Sequence, residues 1–144
     1  YVSHGRNTGG DEAKNFGNDP GSNMSSLGFY VTGETYTGSK GYSLRLDGLE
    51  AGYNDNLRKR AVVMHDADYV SEDWIKAYGR IGRSQGCPAL PKEVTREVID
   101  TIKDRTVIFA YYDDEKYLKS STYLDLDQLM ERFEAADSTA TDAV

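Results

Sequence analysis

Residues 26–46 constrain the fold more than any other stretch, because their pattern is that of a β-hairpin. Residues 26–37 carry β-branched and aromatic side chains in number, and Gly38 and Gly41 bracket a turn. Tyr42, Leu44 and Leu46 then alternate with Ser43 and Arg45, the spacing of a half-buried strand. Further strands are expected over residues 61–65, ending at His65, and over residues 106–112. Residues 1–3 read as the last part of a strand that stops at Gly5. The expected fold class is therefore mainly β with short helices, an α+β domain.

Helix signals fill the gaps. Ser71 can cap a short helix through Tyr78, with Glu72 and Asp73 at its positive end and Gly79 to close it. Pro91 opens a second helix, in which Val94, Val98, Ile99 and Ile102 share one face. A third is expected over residues 125–135, with Leu126, Leu129, Met130 and Phe133 on one face. Asp113, Asp114 and Glu115 read as a turn, and residues 47–57 as a loop. Residues 6–25 form a long polar loop with a turn at Pro20-Gly21, and loops of that length inside compact domains are often functional. The 144 residues suit one domain, expected over 1–136, with the small polar residues 137–144 as a fraying tail.

Composition excludes several roles. A formal charge of −7 repels phosphate backbones and anionic lipid, so nucleic acid is not an expected partner. No stretch is long and apolar enough to span a bilayer. With one cysteine there is no internal disulfide, and one cysteine with two histidines, none closely spaced, gives no metal signature. The run Arg58-Lys59-Arg60 reads as a solvated turn before a strand. The opening Tyr-Val-Ser-His-Gly reads as a strand end, so a targeting segment and one or more strands are expected upstream.

Residues 79–90 carry the chemistry. Cys87 sits in a polar, glycine-rich loop between two helix signals. A cysteine attacks as a thiolate and needs a base or a positive environment, and acyl transfer also needs donors for an oxyanion. Ser84, Gln85 and the amides of Gly86 and Cys87 are candidate donors; Arg80 and Arg83 are candidate cations for the thiol or for a substrate carboxylate. Composition alone leaves Cys87 as either this nucleophile or a small buried hydrophobe. His65, at the end of an apolar strand, is the candidate base, and His4 is its rival.

The order of His65, a short insert and Ser84-Gln85-Gly86-Cys87 resembles the L,D-transpeptidase catalytic domain, in which a His precedes a Ser/Thr-His-Gly-Cys loop. The full run resembles more closely still the divergent murein L,D-transpeptidase branch of that fold family. It is carried by His4-Gly5-Arg6, by residues 25–30, by Gly48-Leu49-Glu50, by residues 62–65 and by residues 82–88, and it runs from Tyr1 to about Tyr112. Gln85 stands where the common motif has His, and Pro88-Ala89 where it has an aliphatic residue and then Arg or Asn. The insert before Ser84 is slightly longer than usual, which suggests an added helix at Trp74.

The resemblance implies an L,D-transpeptidase-like β-sandwich, no cofactor, peptidoglycan stem peptides as partners and a periplasmic or other extracytoplasmic location. It implies Cys87, His65, Ser84 and Gly86 as the catalytic group, and Gln85, Arg83, Arg80, His4 and Arg6 at the substrate, with Tyr30, Tyr36 and Tyr42 as candidate groove residues. The implied reaction is acyl transfer from a tetrapeptide stem through a Cys87 thioester, giving 3–3 crosslinks or related products. A hydrolytic cysteine peptidase or amidase on the same stems, and a non-catalytic wall-binding module, are the alternatives.

Overall fold

The computed structural model describes residues 1–141. The hairpin forms as expected: β1 (Gly28–Gly38) pairs antiparallel with β2 (Gly41–Gly48), with a register irregularity between Thr32 and Thr35. Alternation along β2 turns Leu44 and Leu46 into the core and Arg45 and Asp47 away from it. β3 (Val63–Asp66) adds to β2 on one side, and β5 (Val107–Ala110) adds to β1 on the other. β4 (Ala89–Leu90) pairs with β3 in parallel, so the sheet order is β4-β3-β2-β1-β5. The result is a mixed α+β architecture consistent with an L,D-transpeptidase-like fold.

The core lies on one face of this sheet, where Tyr30, Leu44, Leu46, Leu57, Val62, Met64 and Leu90 meet Ile99. Ile99 comes from α2 (Lys92–Ile102), which packs on β2 and β3. Val98 and Ile102 join it as expected, but Val94 is 41% exposed and Thr95 is buried instead. The helix begins after Pro91, so Val94 lies in its first turn, rotated away from the sheet. α1 (Glu72–Tyr78) has the expected caps: Ser71 accepts from the Trp74 amide, and the Gly79 amide donates to Ile75 at 2.7 Å.

Gly28 shows why the motif residues of β1 and the following loop occur together. Its φ is +102°, and a Cβ there would collide with the Glu50 carboxylate and the Asn54 amide. Both groups are buried and bound to backbone: Glu50 accepts from the Phe29 amide at 2.8 Å, and Asn54 donates to Leu27 at 2.8 Å.

The chain divides into two compact units, Tyr1–Tyr111 and Tyr112–Val144. The second holds α3 (Glu115–Ser120) and α4 (Leu126–Thr141). The expected turn at Asp113–Glu115 is instead a helix start, because the Asp114 carboxylate accepts from the Tyr117 amide at 2.7 Å. α4 runs past the expected end at residue 135 and continues to Thr141, whereas residues 142–144 of the expected tail lie outside the described residues. No helix of the described residues is long and apolar enough to cross a membrane.

Candidate active site

Parallel pairing of β3 with β4 brings the two candidate side chains to one cavity. His65 lies opposite Ala89, and Cys87 is two residues before Ala89, level with Val63. The Val63 amide donates to the Cys87 sulfur at 3.5 Å, which ties the loop to the strand. Successive side chains on β3 point to opposite faces. Val63 and His65 therefore line a cavity of about 470 Å³ together with Cys87, Ser84 and Gln85, while Met64 faces a different one.

The thiol is held in its protonated form. Burial raises its pKa above that of an ordinary cysteine, against the Val63 N–H and the cations Arg60 and Lys40, which favour the thiolate. A thiol in that state needs a base at the moment of attack. His65 is 4% exposed, and its Nδ1 lies 2.6 Å from the Asp66 carbonyl. A carbonyl oxygen only accepts, so Nδ1 is the donor in this contact, and in a neutral ring that arrangement leaves the lone pair on Nε2. The rival His4 is elsewhere. It lines a separate, largely apolar cavity of about 380 Å³ with Phe16, Met64 and Pro88.

The Cys87 loop is braced from within. The Ser84 hydroxyl donates to the Cys87 carbonyl at 2.6 Å and accepts from the Gly86 amide at 3.1 Å. Two of the four candidate oxyanion donors are thus engaged with each other, and the other two belong to Gln85 and Cys87, which both line the cavity. Gly86 has φ +121°, and a Cβ there would meet the Met24 carbonyl at 2.8 Å. Gly86→Ala is expected to displace this loop and cost about 2 kcal/mol, read as a lower midpoint in urea.

Arg60 is the residue that sequence reasoning missed. The expected solvated run splits three ways. Arg58 is bound to Glu34 and Asp47 on the hairpin, holding Glu34 down at about 2. Lys59 is exposed. Arg60 turns inward, donating to Met24 O at 2.6 Å, Ser26 Oγ at 2.7 Å, Gly17 O at 3.0 Å and Ser22 Oγ at 3.2 Å. It pins the long 6–25 loop, whose Gly21 and Asn23 form one wall of the Cys87 cavity. The sequence signal was the row of glycine and serine acceptors in that loop, which had no donor assigned to it. Arg60→Met is expected to cost about 2 kcal/mol in stability, through carbonyls left without a donor. It should also move the alkylation profile of Cys87 to higher pH, because a cation that favours the thiolate is gone; iodoacetamide kinetics against pH would show this.

The remaining candidates sort by position. Arg83 borders the cavity, but its guanidinium donates to Gly10 O, Ile81 O and Gly82 O. Arg80 pairs with Asp11 at 3.7 Å and does not line the cavity. Arg6 is exposed, and its amide donates to Ser84 O at 2.8 Å. Tyr36 lines the cavity. Tyr30 is instead a core residue, and Tyr42 donates to Asp100 at 2.6 Å beneath Arg96.

A thiol and an imidazole oriented by the Asp66 carbonyl therefore share one cavity. The family model of the L,D-transpeptidase catalytic domain matches residues 1–111. The chain belongs to that family. Comparison with curated proteins returned no match, and neither did comparison with solved structures. The matched residues coincide with the first compact unit of this L,D-transpeptidase-family chain. Its departures from the common loop have structural counterparts: Gln85 is exposed at the cavity, and Ala89 is a fully buried residue of β4 paired with His65.

Proposed function

We propose that this protein is a peptidoglycan L,D-transpeptidase working through a Cys87 thioester. The observation that carries the reading is the single cavity lined by Cys87 and by His65, whose Nδ1–H is committed to the Asp66 carbonyl. His65 Nε2 takes the thiol proton as Sγ attacks the carbonyl of the meso-diaminopimelate residue of a tetrapeptide stem. The oxyanion meets the Cys87 amide and the Gln85 side-chain amide. Collapse of the intermediate expels D-alanine, whose nitrogen takes the proton back from His65. An amine then resolves the thioester and forms a crosslink. Stem peptides are anionic, and Lys40, Arg60 and Arg83 border this cavity. The reaction places the protein outside the cytoplasm, in the cell envelope.

Gln85 and Ala89, which depart from the common loop, are the features that suit a non-catalytic wall-binding module instead, and the burial-raised thiol is compatible with it. Mass spectrometry separates the two. The protein incubated with a carbapenem should gain one covalent adduct on Cys87, and with a tetrapeptide stem it should release D-alanine. A protein that binds stems yet gives neither adduct nor release is a binding module. Hydrolysed tripeptide as the sole product in the presence of excess amine would make it a peptidase.

A further inference from the structure

Two motif segments, His4-Gly5-Arg6 and the run that begins at Ser25, take no part in the proposed acyl transfer, yet both are bound to the Cys87 loop. The Arg6 amide donates to Ser84 O at 2.8 Å, and the Ser84 amide donates to His4 O at 2.9 Å, so residues 4–6 run beside the loop. Ser25 joins this bridge to the residue before the thiol. Its hydroxyl oxygen accepts from the Gly5 amide at 3.0 Å, and its hydroxyl proton goes to Gly86 O at 3.4 Å. Ser25 is itself held in place. Its amide donates to Oγ1 of the fully buried Thr8 at 2.8 Å, and its carbonyl accepts from the Gly17 amide at 3.0 Å.

Gly86 O and the Cys87 N–H belong to one planar peptide unit, so fixing the carbonyl fixes where the amide points. Ser84 grips the units on either side, through the Gly86 amide and the Cys87 carbonyl. Ser25 binds the unit between them. Gly86, at φ +121°, has no side chain to restrict that unit, so its orientation has to be set from outside. We infer that Ser25 is a positioning residue for acyl transfer, which aims the Cys87 amide at the oxyanion by holding the carbonyl end of the same peptide. The inference rests on the transpeptidase reading, in which that amide receives the oxyanion. As the S–C bond forms, the carbonyl π electrons move onto oxygen, and an amide already aimed at that oxygen stabilises it. The hydroxyl on Gly86 O also polarises the unit and strengthens its N–H as a donor.

The test compares two reactions of one sulfur. Alkylation by iodoacetamide displaces iodide at a saturated carbon and builds no oxyanion, whereas acylation by a carbapenem passes through one. Ser25→Ala should lower the acylation rate of Cys87 about tenfold, less than the loss of a direct oxyanion donor. Its alkylation rate at the same pH should stay within about twofold, because the thiol and its cations are unchanged. Ser25→Thr keeps the hydroxyl and should restore most of the acylation. With a tetrapeptide stem, D-alanine release by Ser25→Ala should show a lower kcat at nearly unchanged KM, the pattern of an interaction made only in the transition state. Thr8→Val is the second variant: it loosens Ser25 from the other side and should lower the ratio of acylation to alkylation in smaller measure. A ratio unchanged in both variants, or both rates falling by one factor, overturns this inference and leaves the transpeptidase reading standing. Neither acylation nor D-alanine release in the unaltered protein overturns both.

Discussion

Cys87→Ala is expected to abolish both D-alanine release from a tetrapeptide stem and the covalent carbapenem adduct. No other cysteine in the chain can replace it. Ser84, the nearest hydroxyl in the loop, donates its proton to the Cys87 carbonyl and is not free to act. The variant should fold. Cys87 is only partly buried where it packs on the core, so losing one sulfur costs about 1 kcal/mol. Binding of the stem should therefore survive while turnover falls to background, and a calorimetric titration beside the product assay separates the two. Activity retained in Cys87→Ala would show that the thiol is a core residue and that the nucleophile lies elsewhere.

Much of the sheet was legible from sequence because it depends on local pattern. The alternation of Leu44 and Leu46 and the glycines at positions 38 and 41 set the hairpin, and the antiparallel pairing of β1 with β2 follows. The pairing of β3 with β4 was not legible. Ala89 and Leu90 are too few to give a period, and they become a strand only because His65 and Asp66 offer them an edge. The same non-local pairing brings Cys87 and His65 to one cavity, so sequence named both residues but not the pairing that places them there. Arg60 was lost for a related reason. Its partners lie 34 to 43 residues away, where a run of three cations next to a turn looks solvated. His4 was drawn toward the site by its place in a shared motif, yet it lines a different cavity, because Ser3 and Gly5 bridge to Ala89 and Ser84 and carry it past the loop on the other side. The short α3 was misread because an Asp that caps a helix and an Asp that opens a turn look alike until a Tyr117 amide is found bound to it.

His65→Gln is expected to lower the rate of acyl-enzyme formation by about 10²–10⁴-fold at neutral pH, the usual contribution of a positioned general base. Glutamine is of similar size, so the packing around this buried position is largely kept, but it cannot take a proton. The pH dependence tells a chemical role from a structural one. Burial holds the Cys87 thiol protonated above the ordinary cysteine range, so few molecules carry a thiolate at neutral pH. With His65 present, the proton moves as the sulfur attacks, and the rate does not wait for the thiol to ionise. Without it, only molecules already ionised can react. The residual rate of the variant should then climb steadily with pH through the alkaline range, and the gap to the unaltered protein should narrow. A His4→Gln variant provides the comparison, because His4 lines the other cavity and its loss should not produce this pH-dependent gap. A His65→Gln variant slowed less than about threefold, or slowed by the same factor at every pH, would make His65 a packing residue, because a missing base is least damaging where hydroxide can do its work.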